Sequence, residues 1–125
     1  LLLALHIGYG WLALGVALLG VSALGVAVPL SAAIHSLTVG AIGTMILAVM
    51  TRVTRGHTGR ALVADRTTVV MYGLVTVAAV VRVAAAFGIA TSLLLITSSL
   101  LWIGAFALFA WVYGPMMLQS RIDLA

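Results

Sequence analysis

The chain has no cysteine, no lysine, two acidic residues and two prolines in 125 residues. Without cysteine, disulfides and thiolate metal sites are excluded. All six cationic side chains are Arg, set against Asp65 and Asp123. Charged residues make up 6% of the chain, where a soluble domain carries about a quarter. So few charges cannot cover the surface of a water-soluble fold of this size. No Walker motif or GxGxxG is present, which removes the usual nucleotide cradles. No carboxylate pair lies within an apolar run, so neither acid–base chemistry by Asp or Glu nor proton transport through buried acids is expected. What is abundant is apolar: 65% of the residues. The lipid bilayer is the solvent that fits this composition.

Four apolar runs are long enough to cross a bilayer, which takes about 20 residues of helix. The spacing predicts spans over residues 1–28, 30–55, 67–87 and 92–118 of a single transmembrane domain, 1–125. Pro29 closes the first run. Ser31 is placed to cap the second, Arg52 and Arg55 lie in its last turn, and Gly56 stands where helices commonly end in the left-handed conformation. Asp65 is placed to cap the third, and a short turn at Gly88 leads into the fourth. The runs are too long for strands and lack alternation. The expected fold is an all-α integral membrane protein with four transmembrane helices in an antiparallel up-and-down bundle. The chain opens at Leu1 inside an apolar run, as the C-terminal part of a longer multi-spanning protein would. Its expected partners are the lipid bilayer and the remaining helices of that parent.

Arg52, Arg55, Arg60 and Arg66 cluster between the second and third runs, and Arg121 follows the fourth on the same side. The turns near Pro29 and Gly88 carry no charge. Positive charge stays inside, so the 52–66 loop and the C-terminus are expected to be cytoplasmic. Trp111 and Tyr113 fit an interfacial aromatic belt at that side. The Arg residues thus mark topology, and no nucleic-acid partner is expected. Ala32, Ser36, Gly40, Thr44 and Ala48 recur every four residues, with Gly43 beside them. Such a stripe lets helix backbones approach closely, or leaves room for the flat face of a cofactor. Trp102, Phe106, Phe109 and Tyr113 form an aromatic row at helical spacing, best read as packing.

Polar groups inside a membrane are costly, and each calls for an explanation. His35 lies near the start of the second helix, where the dipole favours the neutral imidazole a metal needs; a helix–helix hydrogen bond explains it equally well. His6 sits in the first run, toward the opposite end, so the two are not expected to share one small metal ion. His57 lies in the charged loop, where exposure at the interface is the simpler reading. Around it, Arg52, Arg55, Gly56, Gly59 and Arg60 form a cationic turn. Its Arg forks and backbone N–H groups suit a lipid phosphate or the carboxylates of a cofactor. Arg82 is expected about 8 to 9 Å inside the end of the third helix, at a depth similar to His35. It either snorkels to the interface or faces the bundle to meet an anion.

The stretch His35 to Arg60 reads HSLTVGAIGTMILAVMTRVTRGHTGR. Its H-x-L-T-x-G-x-x-G-x-M opening and M-x-R-x-x-x-G-H-T-G-R close resemble the C-terminal part of the NnrS family of bacterial membrane proteins. HIGYGW at His6–Trp11 and WVYGP at Trp111–Pro115 are similar to the same family. The resemblance implies haem, of b type, and copper, and a role in the response to nitric oxide and nitrosative stress. It makes His35, His57 and His6 candidate metal ligands. It also places Arg52, Arg60, Gly56 and Gly59 in a family motif, and with them Arg55 and Arg82 are candidates for binding an anion or cofactor carboxylate. Met45, Met50 and Met71 are soft side chains better read as packing. Location in the bacterial inner membrane and nitric oxide as a partner follow from the same resemblance. No residue is assigned a catalytic role, and whether the protein is an enzyme stays open. Two other readings compete: a transporter or channel subunit with an anion path near Arg82 and His35, and a structural membrane module.

Overall fold

The computed structural model describes residues 1–119. Among these it is all helical, with four helices long and apolar enough to cross a membrane: α1 (Leu2–Ala23), α2 (Leu30–His57), α3 (Arg66–Ala85) and α4 (Thr91–Leu118). Arg121 and Asp123 lie outside the described residues.

Side-chain pairings fix the topology. Going up α1, Gly8, Trp11 and Gly15 meet Met45, Gly40 and Leu37 in turn going down α2. Thr68, Leu74 and Ala78 of α3 meet Tyr113, Gly104 and Ser98 of α4 in the same crossed order. Between α2 and α3, Thr51 pairs with Tyr72 and Gly43 faces Val75. In contrast, Gly43 and Arg55 of α2 meet Trp102 and Tyr113 of α4 in parallel order. The result is the expected antiparallel up-and-down bundle.

Its interior is built from small residues. Ala32, Ala33, Ala41, Ala48, Ala78, Ala79 and Ala105 are buried, while Leu3, Leu14, Ile96, Leu100 and Leu118 point outward. This inverts the size pattern of a water-soluble core and suits lipid, where close backbone approach rather than apolar burial holds helices together. The α2 stripe behaves accordingly: Ala32, Ser36, Gly40, Thr44 and Ala48 are all buried. Trp11 of α1 covers Gly40, and a Cβ there would meet the indole at 2.6 Å. Ser36 strengthens the contact by donating its hydroxyl to the Trp11 carbonyl at 3.1 Å.

Several helix ends differ from the sequence expectations. The first helix stops at Ala23, short of Val28, because Gly25 turns the chain at φ 75° before Pro29 is reached. Ser31 does not cap α2; Pro29 takes the cap position with no side-chain hydrogen bond. Gly56 lies inside α2, and Gly59 provides the left-handed residue instead, at φ 72°. There the Gly59 N–H donates to Gly56 O at 3.3 Å and the Arg60 N–H to Arg55 O at 2.8 Å, the paired bonds of a Schellman close. Helix α3 runs from Arg66 to Ala85 rather than from 67 to 87. Asp65 caps it as expected, its Oδ1 accepting from the Thr68 N–H at 2.8 Å. Within α2, residues Ser36–Ile42 form a stretch of π-helix, which nothing in the sequence announced.

Tight packing at Gly40 makes a direct test. Gly40→Ala should lower stability by about 1–3 kcal/mol, because the rigid indole cannot yield at its ring root. Gly10→Ala meets open space and should leave stability unchanged or raise it by up to about 1 kcal/mol. Thermal unfolding in detergent checks both.

Candidate functional site

The loop end of the bundle carries a connected polar cluster. Arg55, in the last turn of α2, is 9% exposed. Its Nε donates to the Tyr113 hydroxyl at 3.2 Å, one Nη to the Ala61 carbonyl at 3.2 Å, and the other to Asp65 Oδ2 at 2.6 Å. The Tyr113 oxygen also lies 2.6 Å from the Thr68 hydroxyl. Nearby, Thr51 shares a hydrogen bond with Tyr72. Asp65 is held below the ordinary carboxylate range, first by the Thr68 backbone N–H and then by the Arg55 guanidinium. Arg55 is therefore engaged inside the fold, with its donors turned to protein acceptors.

Tyr113 departs from the interfacial role expected of it. Trp111 is 81% exposed, as a belt residue would be, but Tyr113 is 0% exposed. Two positions along a helix turn the side chain by roughly 200°, so the two cannot share a face. Tyr113 stacks on Phe109 with centroids 5.3 Å apart and plugs the core beneath Arg55.

The three histidines lie apart, and no three His, Cys, Asp or Glu among the described residues come close enough to hold a metal ion together. His6 is exposed on α1, with Nδ1 3.0 Å from the Leu2 carbonyl. A carbonyl only accepts, so Nδ1 is the donor in this contact and Nε2 is the ring nitrogen left for another partner. A backbone carbonyl on the far nitrogen is the usual support for a metal-ligating imidazole. His35 is half-buried near the opposite end, within electrostatic reach of Arg82. His57 is exposed in the last turn of α2.

Around His57, a cleft of about 370 Å³ is lined by Arg52, Val53, Gly56 and Leu62. Arg52 is exposed there. Arg60 is anchored differently, one Nη donating to the Gln119 side chain at 2.8 Å. An apolar groove of about 370 Å³ between α1 and α3, lined by Ala4, Ile7, Tyr72 and Val77 among others, carries no charged group. At the other end, Arg82 borders a cavity of about 290 Å³ between α2, α3 and α4.

A comparison with protein families matches the one described as NnrS protein over residues 1–121. The chain belongs to the NnrS family. No curated protein and no solved structure matched it. Membership makes it a multi-pass membrane protein of a family tied to nitric oxide and nitrosative stress.

Sequence reasoning over this NnrS chain missed the Arg55 cluster. The available signal was Asp65, the acidic residue nearest the helix end that carries Arg55, together with a Tyr and two Thr near the same end of neighbouring helices. Tyr113→Phe removes the acceptor of Arg55 Nε and the partner of Thr68. It should cost about 1–3 kcal/mol of stability, measured by thermal unfolding.

Acid should act through Asp65. Its pKa is lower folded than unfolded, so its stabilisation is complete above the unfolded value and is lost as pH falls through the folded one. Wild type should therefore lose stability below the ordinary carboxylate range. In Asp65→Asn that acid-dependent loss should shrink to what the rest of the chain contributes, which thermal melts from pH 7 to 3 would show.

Proposed function

We propose that the protein is a haem-binding, copper-associated membrane protein of the nitric oxide response, seated in the bacterial inner membrane with its 52–66 loop and C-terminus in the cytoplasm. The observation that carries the haem reading is His6: its Nδ1–H is taken by the Leu2 carbonyl, which leaves Nε2 free as a donor on the outer face of α1. Haem would be held by one such nitrogen, whereas a copper site commonly needs several ligands together. The residues present thus fit haem as single imidazole donors, and His6, His57 and His35 are the candidates that would hold it. Copper calls for ligands beyond any one of these histidines. The cleft at His57 adds a cation, Arg52, suited to a haem carboxylate; Arg60 and the glycines Gly56 and Gly59 shape the turn beside it. Arg55 supports that turn from inside through the Ala61 carbonyl and Asp65.

When bound, haem supplies an iron centre able to take nitric oxide as a ligand. This chain's own contributions are an imidazole oriented by the Leu2 carbonyl, a cationic loop, and a lipid-facing apolar surface that excludes water. The orientation rests on the Arg residues of the 52–66 loop, set against uncharged turns at the other end.

The intact protein, purified in detergent, should show a Soret band and stoichiometric haem. His6→Ala should lose or shift that band, with His57→Ala and His35→Ala as parallel tests and metal analysis for copper. A Soret band unchanged in all three variants sinks the ligand assignment.

A further inference from the structure

Arg82 has an unusual position for a cation in a membrane helix. It lies three residues before the end of α3 at Ala85, roughly 4.5 Å from the helix end at about 1.5 Å per residue. That is closer to the end than the sequence implied, and a snorkelling side chain would reach the interface with ease. Yet the cavity it borders runs the other way. The remaining walls are Val39 of α2 and Ser98, Ser99, Trp102 and Ile103 of α4. Trp102 is 11 residues beyond Thr91, the first residue of α4, about 16 Å along the axis. Ser99, Trp102 and Ile103 are exposed, so this is a groove open along α4, and half-buried Arg82 sits at its edge with its Nε enclosed.

Among the described residues no ion pair or hydrogen bond meets its guanidinium. Its Nε is fully enclosed and has no hydrogen-bond partner among the described residues. A guanidinium cannot shed its proton, so an enclosed and unpartnered N–H carries the full cost of desolvation. The walls supply no carboxylate. They supply donors: the Ser99 hydroxyl and the indole N–H of Trp102, whose Nε1 would lie 3.5 Å from a Cβ on Gly43. Ser98 is already spent, donating to the Ala78 carbonyl at 2.9 Å. The α2 wall is Val39, in the middle of the π-helical stretch Ser36–Ile42. Such bulges recur at functional sites because they reshape a helix face locally.

We propose that this cavity is an anion site for a planar, singly charged oxyanion, with Arg82 as the binding residue. A guanidinium fork matches two oxygens of one plane, which a carboxylate or nitrate offers and a spherical halide does not. The cavity, about 290 Å³, exceeds the roughly 30 Å³ share of a water molecule severalfold, enough for such an ion with some hydration. The site does not rest on the histidine proposal: loss of haem binding in the His6 or His57 variant leaves it standing, while His35 lies within electrostatic reach of Arg82.

Calorimetric titration of the intact protein in detergent tests it, with formate and nitrate as probes in a chloride background at constant ionic strength. Wild type should bind one equivalent of either probe saturably. Arg82→Gln should weaken binding at least tenfold, Arg82→Lys should weaken it less, and Arg52→Gln should leave it unchanged. Equal binding in wild type and Arg82→Gln, or no saturable binding in wild type, overturns the proposal. Should Arg82→Gln fail to fold, Ser99→Leu serves instead. It fills the cavity from an exposed α4 position and should also weaken binding; unchanged binding there overturns the site. Comparing haem-free with haem-loaded protein separates the sources. Binding confined to the haem-free form makes a haem carboxylate the natural occupant, and binding in both forms makes it a free oxyanion.

Discussion

The loop end of the bundle depends on one buried cation. Arg55 closes α2 where that helix leaves the apolar layer, and its guanidinium reaches three separate pieces of the chain. Asp65 answers the charge and caps α3. The Ala61 carbonyl ties down the intervening loop. Tyr113 carries the contact to α4 and on to Thr68. One side chain thereby sets the register of three helices at that end. Enclosed guanidinium groups are tolerated only when their donors are met, so this geometry is strongly specified.

Away from that end, little polarity is available to hold the helices, and shape takes over. Lipid tails are as apolar as leucine, so apolar burial gives the helices no reason to associate. The bundle relies on backbone approach across Gly40, Gly15 and Gly8, each filled by one large side chain of the opposing helix. Trp11, Leu37 and Met45 act as keys in those gaps. The hydroxyls of Ser36 and Ser98 then bridge helices by reaching backbone carbonyls, bonds that satisfy the donor without asking the partner helix for a polar side chain.

Much of this was legible in the sequence, because its signals are one-dimensional. Run length gave four spans, the small-residue stripe gave the buried face of α2, and Asp65 before a helix gave its cap. Three things were not legible. The π-helical stretch at Ser36–Ile42 packs against α1 and α3, and no local residue dictates it. The end of α2 moved past Gly56 because Gly59 offers a left-handed residue with both closing bonds available. Tyr113 was misplaced because side-chain type was read without its helical phase: Trp111, two positions earlier, faces out, so Tyr113 must face in.

The same distinction between satisfied and unsatisfied charge separates the two arginines that lie within the bundle. Arg55 is buried and Arg82 half-buried, and from sequence each could serve an anion. Arg55 has an acidic partner, a carbonyl and a phenol around it, so its charge is consumed by the fold. Arg82 has an enclosed Nε with no partner and a cavity beside it. A protein that wanted only a topology marker at that position would gain by letting the side chain reach the nearby interface. An enclosed N–H without a partner carries a desolvation cost, which an anion seated beside Arg82 would offset, and that argument rests on the enclosed Nε rather than on the family to which the chain belongs.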